Sequence, residues 1–304
     1  METISILIPT FNAENYIRPL ITSLKNQEID ENQHIEIIII DSTSTDDTVN
    51  IIKSEFSDVE IEVISNQYFD HGGTRNLLAS KAQGQYLLFM TQDAIPYDNF
   101  FVRNLLTPIR SKDVVISYAR QLPKENAKPL EKFARNFNYP EQSFVKNSSR
   151  INELGIKTFF NSNVSSMYKR EFFHSFGGFP EKIILNEDMI LASKAVLNGF
   201  NISYTSEAKV YHSHNYSLIQ QFKRYFDIGM AFNETKYLLD YASNEQEGAR
   251  MIVNQMRFLI ANRNIQWIPY ALVENIFKFI GYNLGKRHTS IPYNFKRIFS
   301  AYMK

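Results

Sequence analysis

A few polar residues stand where apolar runs end, and their types suit the handling of a metal ion, a proton and a phosphate. Asp93 follows the apolar run Tyr86 to Met90 and is preceded by Thr91-Gln92. A carboxylate there can hold a hard cation such as Mg²⁺ or Mn²⁺, or can cap a helix or turn. His212 and His214 flank Ser213 after Ala208 to Val210. At an i, i+2 spacing they share a face if the strand persists, so either can complete a metal site or simply lie on the surface. Glu187-Asp188 opens a helix after the loop Gly177-Gly178-Phe179-Pro180. Acids are favoured in a first helical turn, and a carboxylate beside a reacting hydroxyl is also the usual general base. Gly72-Gly73, with Arg75 close behind, opens another helix. Free amides and a guanidinium there suit a diphosphate, while an ordinary turn has the same composition.

The elements that must position these residues alternate. Apolar, β-branched runs at Ile4 to Ile8, Ile35 to Ile40, Ile61 to Ile64, Tyr86 to Met90 and Val114 to Tyr118 read as strands. Between them, 15–26, 45–56 and 74–81 carry helical spacing. Strands of this kind separated by helices predict a doubly wound, mostly parallel α/β sheet. Ligands bind such sheets beyond the carboxyl ends of the strands, where Thr10, Asp41 and Asp93 all fall. After Lys112 the pattern loosens into a polar, Asn-rich segment through Asn147, with a helix over 187–197 and a short strand over 208–212. From residue 217 the periodicity is helical only, over 218–239, 246–261 and 269–284. The expected division is therefore a sheet domain over 1–216 and a helical C-terminal extension over 217–304.

Bulk properties narrow the partners. The chain has 304 residues, no cysteine and a net charge of +1, which excludes thiol chemistry and zinc–thiolate sites and gives nucleic acid no support as a partner. The N-terminus lacks a charged region followed by a long apolar stretch, and no apolar run reaches the length of a membrane span, which predicts a cytoplasmic protein. Charge is uneven, however. From residue 251 onward eight basic residues oppose Glu274 alone, a balance of +7. Such a tail suits an anionic membrane surface, peripherally and on the inner face, or a helical pair whose charges are merely solvated. Neither a G-x-G-x-x-G nor a P-loop signature occurs.

Taken in order, Ser5-Ile6-Leu7-Ile8-Pro9-Thr10-Phe11-Asn12, Asp41-Ser42-Thr43-Ser44-Thr45-Asp46-Asp47-Thr48, Arg75-Asn76, Thr91-Gln92-Asp93, Gly177-Gly178-Phe179 and Glu187-Asp188 resemble the family 2 glycosyltransferases. The resemblance spans about residues 3 to 215. It implies the GT-A fold, a nucleotide-diphosphate-sugar donor, a divalent metal (Mn²⁺ or Mg²⁺) and inversion at the anomeric carbon. By position, Pro9 and Thr10 would line the nucleoside pocket and Asp41 would contact the base, with Gly73, Arg75 and Gln92 also on the donor side. Asp93 matches the second acid of the family's D-x-D motif, whose first acid is Thr91 here, so His212 or His214 is called on as a further ligand. Asp188 matches the general base, supported by Glu187. The finer run from Phe69 to Asn76, with Thr91-Gln92-Asp93-Ala94, resembles the rhamnosyltransferase branch, which implies dTDP-L-rhamnose as donor and a glycan or lipid-linked acceptor in bacterial surface polysaccharide synthesis. A UDP-sugar donor is the nearest alternative. A nucleotidyltransferase would show a Gly-rich, basic loop where Pro9 to Asn15 has neither. A non-catalytic scaffold would show no donor turnover.

Overall fold

The computed structural model describes residues 1–241 and 245–303. Its strands are β1 (Glu2–Thr10), β2 (Gln33–Asp41), β3 (Glu60–Val63), β4 (Tyr86–Met90), β5 (Ile95–Pro96), β6 (Val114–Leu122), β7 (Phe144–Lys146), β8 (Ser165–Lys169) and β9 (Asn201–Tyr211). Its helices are α1 (Glu14–Lys25), α2 (Thr48–Glu55), α3 (His71–Lys81), α4 (Phe101–Ile109), α5 (Pro129–Asn138), α6 (Ile151–Leu154), α7 (Arg170–Ser175), α8 (Glu187–Leu197), α9 (Leu218–Glu234), α10 (Glu245–Ala261), α11 (Ile268–Lys286) and α12 (Tyr293–Phe299).

The strands form one sheet in the order β3-β2-β1-β4-β8-β6-β9-β5, with β7 pairing β9. β3, β2, β1 and β4 run parallel, as do β6 and β9. β8 runs against both of its neighbours, β4 and β6. The period of two explains why both faces are covered. Ile4, Ile6 and Ile8 point into a core with Leu20, Ile21 and Leu105 from α1 and α4. Leu7, Ile38 and Phe89 point the other way, against Leu78 of α3 and Leu191 of α8. This is the doubly wound α/β arrangement of the GT-A type, with a helical C-terminal region following the last long strand.

Several elements depart from the sequence expectation. β8 was not expected, because Ser165-Ser166 disguises it; both serines are buried between two paired neighbours, and Ser166 Oγ donates to Asn161 Oδ1 (3.0 Å). α5 lies inside the segment read as loose and polar. Pro129 sits in its first turn, and Leu130 and Phe133 at i, i+3 supply its buried stripe. β9 begins at Asn201 rather than 208, since Ile202 and Tyr204 are fully buried while Ser203 and Thr205 find partners on the other face. α3 starts at His71, three residues early, because Asp70 caps it. α9 ends at Glu234 and is followed by a separate 3₁₀ turn over Lys236–Asp240.

Candidate active site

The carboxyl ends of β1, β2 and β4 meet at one edge of the sheet. There Thr10 Oγ1 donates to Asp41 Oδ2 (2.9 Å), and Asp41 also accepts from Ser44 N (2.7 Å) and Ser44 Oγ (2.6 Å). Gln92 grips the backbone of Phe11 from both sides, accepting from its N–H (2.8 Å) and donating to its carbonyl (3.0 Å). Thr43 is held at φ 61°, a left-handed conformation rare for a β-branched residue, by donation from its hydroxyl to Ile64 O (2.6 Å). These bonds shape a cavity of about 650 Å³ walled by Pro9, Thr10, Phe11, Ser42, Phe69 and Gln92, with Tyr302 and Met303 closing it from the C-terminal tail.

Two sequence expectations change here. Asp41 is fully buried and does not line this cavity; it fixes the loop after β2 through Thr10 and Ser44 instead. The amide of Gly73 is not free for a diphosphate, because it donates to the capping Asp70 Oδ2 (2.6 Å). Gly72 is required for a different reason: a Cβ there would lie 1.9 Å from the Pro180 carbonyl oxygen, so α3 abuts the loop leading into α8.

A second cavity of about 450 Å³ shares His71, Arg75, Thr91 and Tyr302 with the first. Asp93, His212, His214, Glu187 and Asp188 all line it. Asp93 Oδ2 lies 3.5 Å from His212 Nε2 and 3.1 Å from His214 Nε2, and the two imidazole nitrogens are 3.1 Å apart. The ligand-capable atoms of all three residues fall within 4.8 Å of one another. Asp93 Oδ2 is buried with no hydrogen bond of its own. Gln121, as acceptor, fixes the tautomer of His212. Gln121 Oε1 accepts from Arg135 and faces His212 Nδ1 at 2.9 Å, while its Nε2 donates to Ser162 Oγ (2.9 Å). His212 Nδ1 must therefore donate, leaving the Nε2 lone pair aimed at the cluster. Burial, aided by Arg135 and His214 and opposed by Asp93, pushes His212 down to about 3, so it is a neutral imidazole. Burial works against the charge on Asp93, but the contact with His214 and the nearby Lys124 ammonium hold it well below the usual carboxylate range. An orphaned carboxylate oxygen facing two imidazole nitrogens fits a divalent cation.

The adjacent acids at the start of α8 have opposite surroundings. Glu187 is buried 3.2 Å from Arg75 Nη1 and accepts from Asn163 Nδ2 (3.2 Å); burial opposes its charge, yet Arg75 holds it below the usual range. Among the described residues Asp188 accepts from Asn163 N (3.1 Å) and Met189 N (2.7 Å) alone. Burial first, then the charge on Glu187, pushes Asp188 up to about 7, the range of a working general base. Asn186 before them is held at φ 72°, strain of the kind found where a site dictates the backbone.

Other residues around the cluster carried no sequence signal. Lys124 stands 3.8 Å from Asp93 Oδ2. Arg224 donates to Tyr216 OH (3.1 Å) and has no carboxylate partner among the described residues, although it lines the cavity.

With this geometry in view, comparison with known proteins is informative. The model of "Glycosyl transferase family 2" matches residues 5–177. The chain is 40% identical over 309 residues to the O-antigen chain rhamnosyltransferase WbaN of Salmonella anatum, covering 99% of this chain and 95% of that protein. It is 39% identical to the O-antigen chain rhamnosyltransferase RfbN of Salmonella typhimurium, covering 98% and 94%. Among solved structures, the mannosyltransferase PcManGT from Pyrobaculum calidifontis, in complex with GDP-Man and Mn²⁺, superimposes with a TM-score of 0.66 at 12% identity, covering 94% of this chain and 88% of that one. TarS 1–349 of S. aureus, in complex with UDP-GlcNAc, gives 0.55 at 17% identity, covering 95% and 91%. The strand-end cavities, the acid at the end of β4 and the match over more than half of the chain agree: this protein belongs to glycosyltransferase family 2 and is a glycosyltransferase.

Proposed function

We propose that the chain transfers L-rhamnose from dTDP-L-rhamnose to a hydroxyl of a glycan or lipid-linked acceptor during synthesis of a bacterial surface polysaccharide, in one displacement that inverts the anomeric carbon. The observation that carries the chemistry is the joining of two cavities at Arg75 and Thr91, one walled by strand ends and the other holding Asp93, His212, His214 and Asp188. The near full-length likeness to two O-antigen chain rhamnosyltransferases supports rhamnose as the sugar.

In this reading the nucleoside occupies the cavity at Pro9, Thr10 and Phe11, and the diphosphate reaches toward Asp93. Asp93, His212 and His214 would hold a divalent cation, which when bound neutralises diphosphate charge as a Lewis acid. Arg75, anchored by Glu187, and Arg224 add fixed positive charge to the wall through which the diphosphate departs. Asp188 takes the proton of the acceptor hydroxyl as that oxygen bonds to the sugar carbon. Tyr302 and Met303 cover the donor and exclude water.

The test is a screen of purified nucleotide-sugars for hydrolysis and transfer, with and without Mn²⁺, beside melting curves with dTDP and UDP. Preferential turnover of dTDP-L-rhamnose and greater stabilisation by dTDP are expected. Preference for a UDP-sugar would overturn the donor, and no turnover of any donor would overturn the catalytic reading.

A further inference from the structure

Helix α11 is amphipathic in the opposite sense from a helix of a soluble core. Its inward face carries Ala271, Glu274, Lys278, Gly281 and Gly285, all buried. Its outward face carries Leu272, Val273, Ile276, Phe279 and Ile280, which are 50, 41, 55, 70 and 45% exposed. These five positions follow the helical period and form one stripe. The inward face is committed already. A Cβ on Gly281 would lie 2.4 Å from Phe222 O, and one on Gly285 would lie 2.0 Å from Phe226 O, so α11 seats on α9 backbone to backbone. Glu274 and Lys278 pair with each other there (2.5 Å). Small residues inward and large apolar residues outward are the pattern of helices whose surrounding medium is lipid.

The exposed charges that the described residues beyond 251 bring share one sign, with Glu234 of α9 the acid that faces His288 just past the helix. Glu274, the single acid beyond residue 251, is buried with Lys278. The charges left at the surface are Arg257, Arg263, Lys286, Arg287, Lys296 and Arg297. Arg263 precedes α11, and Lys286 and Arg287 end it, so cations bracket the stripe. α12 repeats the combination, with Tyr293, Phe295 and Ile298 exposed beside Lys296 and Arg297. Among the described residues no helix is long and apolar enough to cross a membrane.

We propose that the outer face of α11, together with α12, docks on an anionic lipid bilayer, with α11 lying in the plane of the interface. Apolar side chains enter the acyl boundary while the bracketing cations meet lipid phosphates. A second copy of the chain is a poorer occupant, because an isologous contact would bring these like charges together. The inference holds whichever sugar is transferred. It also places the extension whose tail closes the donor cavity at the surface where a lipid-linked acceptor resides.

The experiment is co-sedimentation of the full chain with phosphatidylglycerol vesicles and with phosphatidylcholine vesicles. Pelleting with the former, weakened by salt, and little with the latter are expected. Ile276→Glu with Phe279→Glu is expected to lower partitioning by about tenfold or more, and Lys286→Glu with Arg287→Glu to do so on anionic vesicles. Ile276, Phe279 and Arg287 are exposed, Lys286 is half-buried, and none of the four lines the two cavities, so nucleotide-induced stabilisation should persist in both variants, which separates this result from a failure of the donor reading. The proposal is overturned if the wild-type chain does not pellet with phosphatidylglycerol, or if the apolar variant pellets as wild type does. It is also overturned if light scattering shows a dimer that Ile276→Glu with Phe279→Glu dissociates while vesicles bind neither form.

Discussion

Glu187 and Asp188 show how one bond of separation can assign opposite roles. Arg75 fixes the first as a charged anchor, while the second, lacking a cation of its own, is lifted toward neutrality. Asp188→Asn is expected to lower the transfer rate by about 10²–10⁴-fold while leaving dTDP-induced stabilisation intact; transfer at the wild-type rate would remove Asp188 from the mechanism. A base must be ionised to act, so the rate should climb about tenfold per pH unit below about 7 and level off above it. The same shift has a stability sign. With the folded carboxyl titrating above its ordinary value, its contribution is full at low pH and is lost as pH rises through about 7. Asp188→Asn should therefore raise Tm progressively from about pH 4 to 7, relative to wild type, which melting across pH checks. At the other side of the cavity, Asp93→Ala removes the carboxylate that His212 and His214 face. It is expected to abolish Mn²⁺-dependent strengthening of dTDP binding by calorimetry, an effect of roughly tenfold or more.

Among the elements, the loop-to-helix contacts matter as much as the strands. α3 can approach the 178–184 loop only because residue 72 lacks a Cβ, and that loop leads directly to Asp188. Gly72→Ala would push backbone against backbone, at a cost of about 1–3 kcal/mol, and should lower both Tm and the transfer rate. Gly285→Ala meets Phe226 O in the same way. It is expected to lower Tm without changing the metal requirement, because it separates α9 from α11 rather than touching the cluster at the end of β4.

For the molecule as a whole, the chain's end returns to its beginning. Ala301 N donates to Asp227 Oδ2 (2.8 Å), and Tyr302 packs edge-on against His71 with ring centroids 5.3 Å apart. The tail thereby becomes a wall of the cavity at the ends of β1 and β4, the proposed donor site. Removing residues 301–304 is expected to raise the donor KM by about fivefold to thirtyfold, the equivalent of roughly 1–2 kcal/mol of contact, with the melting temperature of the sheet domain little changed. An unchanged KM would show that the tail is not part of the donor site.

Local order made much of this legible in the sequence. Nearly continuous apolar, β-branched runs mark strands buried on both faces, and so Thr10, Asp41 and Asp93 could be placed at one edge beforehand. Adjacent acids after a glycine loop likewise marked Glu187-Asp188. Other features depend on partners that no local pattern specifies. β8 reads as polar until β4 and β6 cover its serines, and nothing local shows that Arg75 is held in place by Glu187. Asp41 faces inward because Thr10 and Ser44 satisfy it, and Gly73 is occupied because Asp70 lies three residues earlier. The sequence alone determined the alternation of strands and helices in the first half of the chain and which residues stand at the ends of those strands. Tertiary structure decided which of those residues are free to react, because burial and hydrogen bonding are set by neighbours distant along the chain.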